Sequence, residues 1–185
     1  MNLVRMETRT ESIERTGAVT QRDLVINALR MRPDRIILGE CRGGEAFEML
    51  QAMNTGHDGS MSTLHANSPR DAIARVESMV MMANLNQPLD AIRRSIVSAV
   101  QLIIQINRLR DGSRKITSIS EVVGLEGDNV VLEEIYRFDF NDSEYGDTVT
   151  GSFVTSGIMQ RSELVKKAHF YGLYDELMQS FKGER

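Results

Sequence analysis

A carboxylate at the end of an apolar run is the first feature of this sequence with chemical potential. Arg35-Ile36-Ile37-Leu38-Gly39-Glu40 places Glu40 where a short buried strand would end, and open α/β sheets put their ligand crevice at the carboxyl ends of their strands. The run has the form of a Walker B strand, in which apolar residues bury the strand and the terminal carboxylate faces a Mg²⁺-bound water. In that role Glu40 would orient or deprotonate an attacking water, while other oxygens complete the metal's octahedron. The same residues also fit a strand that merely ends in a solvated Glu.

Two of the three histidines lie eight residues apart in Gly56-His57-Asp58-Gly59-Ser60-Met61-Ser62-Thr63-Leu64-His65, flanking a predicted strand. Three roles stay open for them. His57, Asp58 and His65 could ligate a metal, although no His-x₃-His or Cys spacing supports it. They could be core or capping histidines. Alternatively, His65 and Thr63 could sense a γ-phosphate at the crevice, with His57 contacting the catalytic acid. Phosphate binding by a loop needs G-x₄-G-K-[ST], whose N–H groups cradle the phosphates and whose Lys reaches the β/γ oxygens. The sequence holds none. Its nearest match, Gly39-Glu40-Cys41-Arg42-Gly43-Gly44, continues with Glu45-Ala46, and an acid there would repel a phosphate.

Charge is distributed unevenly around these residues. Up to Lys115 there are 16 Lys+Arg against 13 Asp+Glu, and from Ile116 onward 6 against 13, giving the net −4. Fifteen of the sixteen cations in the first part are Arg, and eight of them fall between Arg5 and Arg42. Surface ion pairing accounts for most single arginines, but the planar fork also holds carboxylate or phosphate bidentately, so the clustering makes an anion site in this half worth testing. A nucleic-acid groove fits poorly, given the acidic total, the 5% aromatic content and no Lys-rich run.

The elements that must position these groups follow from spacing. An alternating strand over Leu3 to Thr8 leads to a helix begun by Thr20, with Asp23 at the third helical position, and ended by Pro33. The Glu40 strand follows. Gly43-Gly44 opens a helix with Ala46, Phe47, Leu50 and Met53 inward and Gly56 at its carboxyl cap. Ser60 to Leu64 reads as a strand. Ser68-Pro69-Arg70-Asp71 starts a helix to about Met82, and Pro88 starts another. The order βαβαβαα predicts a mainly parallel sheet. Beyond it, Val100 to Leu109, Lys115 to Val123 and Val130 to Phe140 read as strands joined by Asp111-Gly112 and Gly127-Asp128-Asn129 turns, an antiparallel continuation of the same domain. Asn141 to Thr150 is a polar loop, and Ser162 to Phe181 forms one or two short helices. At 185 residues and 41% apolar the chain supports a core without staples. Cys41 alone fits a reducing cytoplasm, and the longest apolar stretch, Val100 to Ile106, is too short and too interrupted to span a membrane.

Thr20 to Leu24, Ala28 to Arg42, Ala52 to Ser60 and Ser62 to Arg70 together closely resemble the CpaF-type ATPases of the type II/IV secretion superfamily, which drive Flp (tight-adherence) pilus assembly. The resemblance runs from Met1 past Ile158. It implies an α/β, RecA-like P-loop NTPase motor domain that forms a hexameric ring with ATP between subunits. It also implies ATP and Mg²⁺ as ligands, inner-membrane platform proteins as partners, and a cytoplasmic place at the inner face of the membrane. By this resemblance Glu40 matches the Walker B glutamate, with Mg²⁺ reached through water, and His57 and His65 match the histidine box. Arg5 and Arg9 match arginines that reach a nucleotide phosphate, Arg42 matches the arginine after Walker B, and Thr63 lies on the nucleotide side.

The family's N-terminal domain, Walker A loop and aspartate box precede what matches Met1. Residues 1–185 are therefore expected to be the C-terminal portion of a motor domain, inactive alone. A non-catalytic interaction remnant, an archaellum or type II secretion motor, and a metallohydrolase are the alternatives.

Overall fold

The computed structural model describes residues 2–11, 17–83, 86–141, 148–158 and 162–181. These residues form two compact units, 1–67 with 71–99, and 68–70 with 100–185. The first unit carries α1 (Gln21–Arg30), β1 (Ile37–Leu38), α2 (Glu45–Asn54), β2 (Met61–Ser62), most of α3 (Pro69–Met81), and α4 (Leu89–Ala99).

Helix α1 starts as its sequence dictates. The Thr20 side chain accepts from the Asp23 N–H and the Asp23 carboxylate accepts from the Thr20 N–H, a complete capping box. The helix buries Val25 and Ala28 against Ile36, Met49 and Ala52, with Met6, Leu29, Leu38 and Met53 around them. Arg22 ties it to α2 through Glu48, with Nε and Nη2 both donating to Oε1 at 3.0 and 2.9 Å. Helix α2 ends at Thr55, followed by Gly56 at φ +91°, a backbone position that favours glycine. Helix α4 buries Ile92, Ile96 and Ala99, and the Asn54 amide of α2 donates to the Ser95 carbonyl.

The parallel sheet is smaller and barer than the apolar run suggests. β1 and β2 pair in parallel over two positions, Ile37↔Met61 and Leu38↔Ser62. Ile37 is 69% exposed and Met61 54%, so only one face of the ladder is covered, the side where Ile36 and Leu38 meet the helices. The expected strand over Leu3 to Thr8 is irregular backbone: an alternating pattern makes no ladder without a neighbour, and the isolated Arg9↔Val19 bridge is the pairing described there.

The second unit is a four-stranded antiparallel sheet in the order β3-β4-β5-β6, from β3 (Leu102–Arg108), β4 (Arg114–Glu126), β5 (Asn129–Phe140) and β6 (Gly151–Thr155). The expected hairpin strands form, as a sheet separate from the β1–β2 pair and within the second compact unit. Gly127 at φ +58° makes the two-residue turn from Glu126 to Asn129. Strand β6 carries no turn signal or strong alternation and escapes a reading by pattern. Helices α5 (Glu163–Tyr171) and α6 (Tyr174–Ser180) are separated at Gly172, in the left-handed conformation. The buried Glu121 of β4 anchors α5, its Oε1 accepting from Ser162 Oγ at 2.6 Å and from the Leu164 N–H. Tyr136 stacks on Phe181 and donates to the Ser180 carbonyl.

Candidate functional site

Glu40 stands two residues past the end of β1, in a turn closed by the N-terminus of α2. Its side chain is 23% exposed and each carboxylate oxygen faces a basic side chain: Arg42 Nη2 lies 2.5 Å from Oε2, and His65 Nε2 lies 3.1 Å from Oε1. The side chains of Arg42 and His65 are themselves 72% and 84% exposed, so a solvent-borne group can reach them. The Arg42 hydrogen bond is the main reason the Glu40 carboxyl is held below its usual range, and the charges of Arg42, His65 and Arg75 add to it. Arg42 is correspondingly raised by Glu40. An ionised acceptor flanked by an exposed guanidinium and an exposed imidazole results.

The register of the parallel pair brings this about. With Leu38 opposite Ser62, the chain after β2 runs beside the Glu40 turn: the Cys41 N–H donates to the Thr63 carbonyl at 2.8 Å and Thr63 Oγ1 donates to the Gly39 carbonyl at 2.5 Å. His65 then falls against Glu40. His57 does not. Its Nδ1 lies 3.2 Å from the Ala52 carbonyl, and because a carbonyl only accepts, that nitrogen carries the proton and ties down the turn after α2. His65, and not His57, is the histidine on the acid.

Thr8, Gln21, Glu40, Arg42, Gly43 and Glu45 line an open cleft of ≈ 570 Å³. Gln21 Nε2 donates to the Glu40 carbonyl at 2.9 Å, and Glu45 Oε1 accepts from the N–H groups of Arg42 and Gly43 at 2.6 and 3.0 Å. Cys41 is buried beside the acid, its thiol pushed up to about 12 by desolvation first and Glu45 second. Among the described residues no three His, Cys, Asp or Glu side chains gather to hold a metal ion. The ligand set His57, Asp58 and His65 therefore has no geometric support: adjacency in a short turn-and-strand segment sends the two imidazoles to different partners.

Of the arginines singled out by sequence, Arg42 belongs to this cluster. Arg9 donates from Nε to the Gly17 carbonyl and Arg5 lies exposed in the irregular segment. Gln21, Glu45 and Arg75 are cleft or near-cleft groups that sequence reasoning missed. Glu45 stood only as the wrong residue for a phosphate loop, and Gln21 was hidden by its place after a capping Thr.

Comparison with known proteins yields consistent matches. The family model for type II/IV secretion system protein covers residues 4–138. A Mycobacterium tuberculosis protein named for conjugal transfer is 40% identical over 126 residues, 68% of this chain and 35% of its own. The type IV secretion system protein VirB11 of Bartonella henselae is 38% identical over 108 residues, 56% of this chain and 29% of its own. The crystal structure of the VirB11 ATPase from the Brucella suis type IV secretion system, in complex with sulphate, matches with TM-score 0.52 and 33% identity over 56% of this chain and 32% of that one. The chain spans about a third of the length of the curated relatives it matches.

Proposed function

The chain belongs to the type II/IV secretion system protein family and shares the RecA-like α/β fold of its secretion ATPases, and from that premise we propose that it supplies the Walker B and histidine-box portion of an ATP-hydrolysing secretion motor. One observation carries the assignment: an ionised Glu40 at a cleft wall, with an exposed Arg and His on its two oxygens. Such a carboxylate can accept a proton from an attacking water or orient it. Arg42 and His65 are exposed beside the acid, and Arg42's fork suits phosphate as well as carboxylate. With Arg42 and His65 already on its two oxygens, a single carboxylate fits contact with Mg²⁺ through water better than direct ligation. The metal, when bound with ATP, would neutralise phosphate charge. Arg5, Arg9 and Thr63 are assigned to the nucleotide side, and His57 to support of the turn that leads into β2.

The phosphate loop is not among these 185 residues, so hydrolysis by this assignment needs that loop from further motor-domain sequence, and the 185 residues alone turn over no ATP. Hexameric assembly, platform proteins of the inner membrane and a cytoplasmic location complete the proposal. No described helix is long and apolar enough to cross a membrane. Within the family, the residues from Ala28 to Arg70 favour a CpaF-type, Flp-pilus motor. The conjugal-transfer and VirB11 relatives favour a second assignment, a type IV secretion motor, and loss of pili against loss of transfer in a deletion strain separates the two.

The test is steady-state ATPase activity of the protein at the length of its relatives, phosphate loop included. Glu40→Gln is expected to lower kcat by about 10²–10⁴-fold while ATP still binds. Undiminished turnover overturns the assignment.

A further inference from the structure

The turn that carries Glu40 lies beyond the β-ladder. β1 ends at Leu38, Gly39 brings no side chain, and beyond its own chain neighbours no atom of the described residues stands within 4 Å of where its Cβ would be. Hydrogen bonds to the main chain hold residues 39–43 in place. Thr63 holds the Gly39 carbonyl and the Cys41 N–H, Gln21 holds the Glu40 carbonyl, and Glu45 holds the N–H groups of Arg42 and Gly43. Each clamp comes from a different neighbour. Gln21 is the first residue of α1, whose start is fixed by the Thr20–Asp23 box, and Glu45 is the buried first residue of α2. Neither touches the Glu40 carboxylate itself.

The geometry points to Gln21 and Glu45 as positioning residues, which hold the Glu40 carboxylate and the Arg42 guanidinium in register for the reaction of the cleft. This inference rests on the ATPase assignment above. A 1 Å misplacement of a reacting group costs on the order of 10²-fold in rate, and a turn whose buried side chain is Cys41, with Glu40 and Arg42 facing the cleft, owes the placing of those two groups to such bonds. The Glu45 carboxylate is a charge-assisted acceptor for two successive N–H groups; removing it frees both, and with them the backbone on either side of the Arg42 side chain. Gln21 is the corresponding anchor on the other side, for the peptide that follows Glu40.

Two measurements test this. In the protein of the relatives' length, Gln21→Met and Glu45→Ala are expected to lower kcat at least about tenfold with KM for ATP within about threefold. Glu45→Gln keeps the acceptor oxygen and retains most of the turnover. In the 185-residue chain, with no nucleotide present, amide hydrogen exchange at Arg42 and Gly43 is expected to speed at least about tenfold in Glu45→Ala, while Val25 and Ala28 in α1 stay protected. Unchanged exchange, a kcat within twofold of the parent, a loss of turnover no larger than the loss of folded protein, or equal loss in Glu45→Gln and Glu45→Ala each overturns the inference. Glu40→Gln run alongside separates the two levels. If it keeps full turnover, the ATPase role of Glu40 falls. If it abolishes turnover while Gln21→Met and Glu45→Ala match the parent, only the positioning role falls.

Discussion

Glu40 is kept ionised by what surrounds it. Arg42 bonds one oxygen, His65 meets the other, and the Arg75 charge contributes from α3. The adjacent Cys41 shows the opposite effect of place: one position along the chain the side chain turns inward, and desolvation pushes the thiol up to about 12. A thiolate is the reactive form, so Cys41 should be inert to a disulfide reagent at neutral pH while the chain is folded and react at the rate of a free thiol once denatured. Rapid labelling of the folded chain would show that the turn opens. At this scale the sequence displayed the candidates but not their contacts. Glu40, Arg42 and His65 stood out by type and spacing, whereas Gln21 and Glu45 act through main-chain groups, which leave no mark in residue identity.

At the scale of elements, local signals worked where a local bond carries the structure. Thr20 with Asp23, Gly56 after α2, and the Gly127-Asp128 turn each form as expected because donor and acceptor lie within a few residues. The alternation of Leu3 to Thr8 failed because a strand needs a partner, and β6 was missed because pairing with β5, not its own pattern, makes it a strand. Asp111 links two such elements. Its carboxylate accepts from Ser113 Oγ and N–H in the turn after β3 and from the Val149 N–H ahead of β6. The Ser113 hydroxyl bond is the largest cause of its fall from 3.8 to about 2, followed by the Val149 N–H. A depressed carboxylate contributes stability that is present above its unfolded value and lost as pH falls through its folded one. Acid unfolding should therefore show a loss between about pH 4 and 2 that Asp111→Asn removes. Identical acid profiles for the two chains would contradict this role.

The whole molecule divides into two compact units, each with its own core, and the groups that face the cleft all come from the first. Arginine forks alone hold a polyphosphate weakly compared with a glycine-rich cradle and its lysine. Calorimetry on the 185-residue chain should accordingly find ATP binding no tighter than about millimolar, some 4 kcal/mol; micromolar binding would mean that these residues build a phosphate site of their own. Sequence alone determined the family, because the Glu40 strand, the histidine segment and the runs beside them form one long contiguous signature. It also determined the helices, the Thr20 cap of α1, the Gly56 position after α2 and the hairpin turns, since each is set by residues a few positions apart. Tertiary structure decided which histidine meets the acid and which side chains clamp its turn. It also left Ile37 and Met61 bare on the open face of the parallel pair. These depend on the register Leu38↔Ser62 between segments two dozen residues apart, and a slip of one residue in such a pair would turn every side chain to the other face.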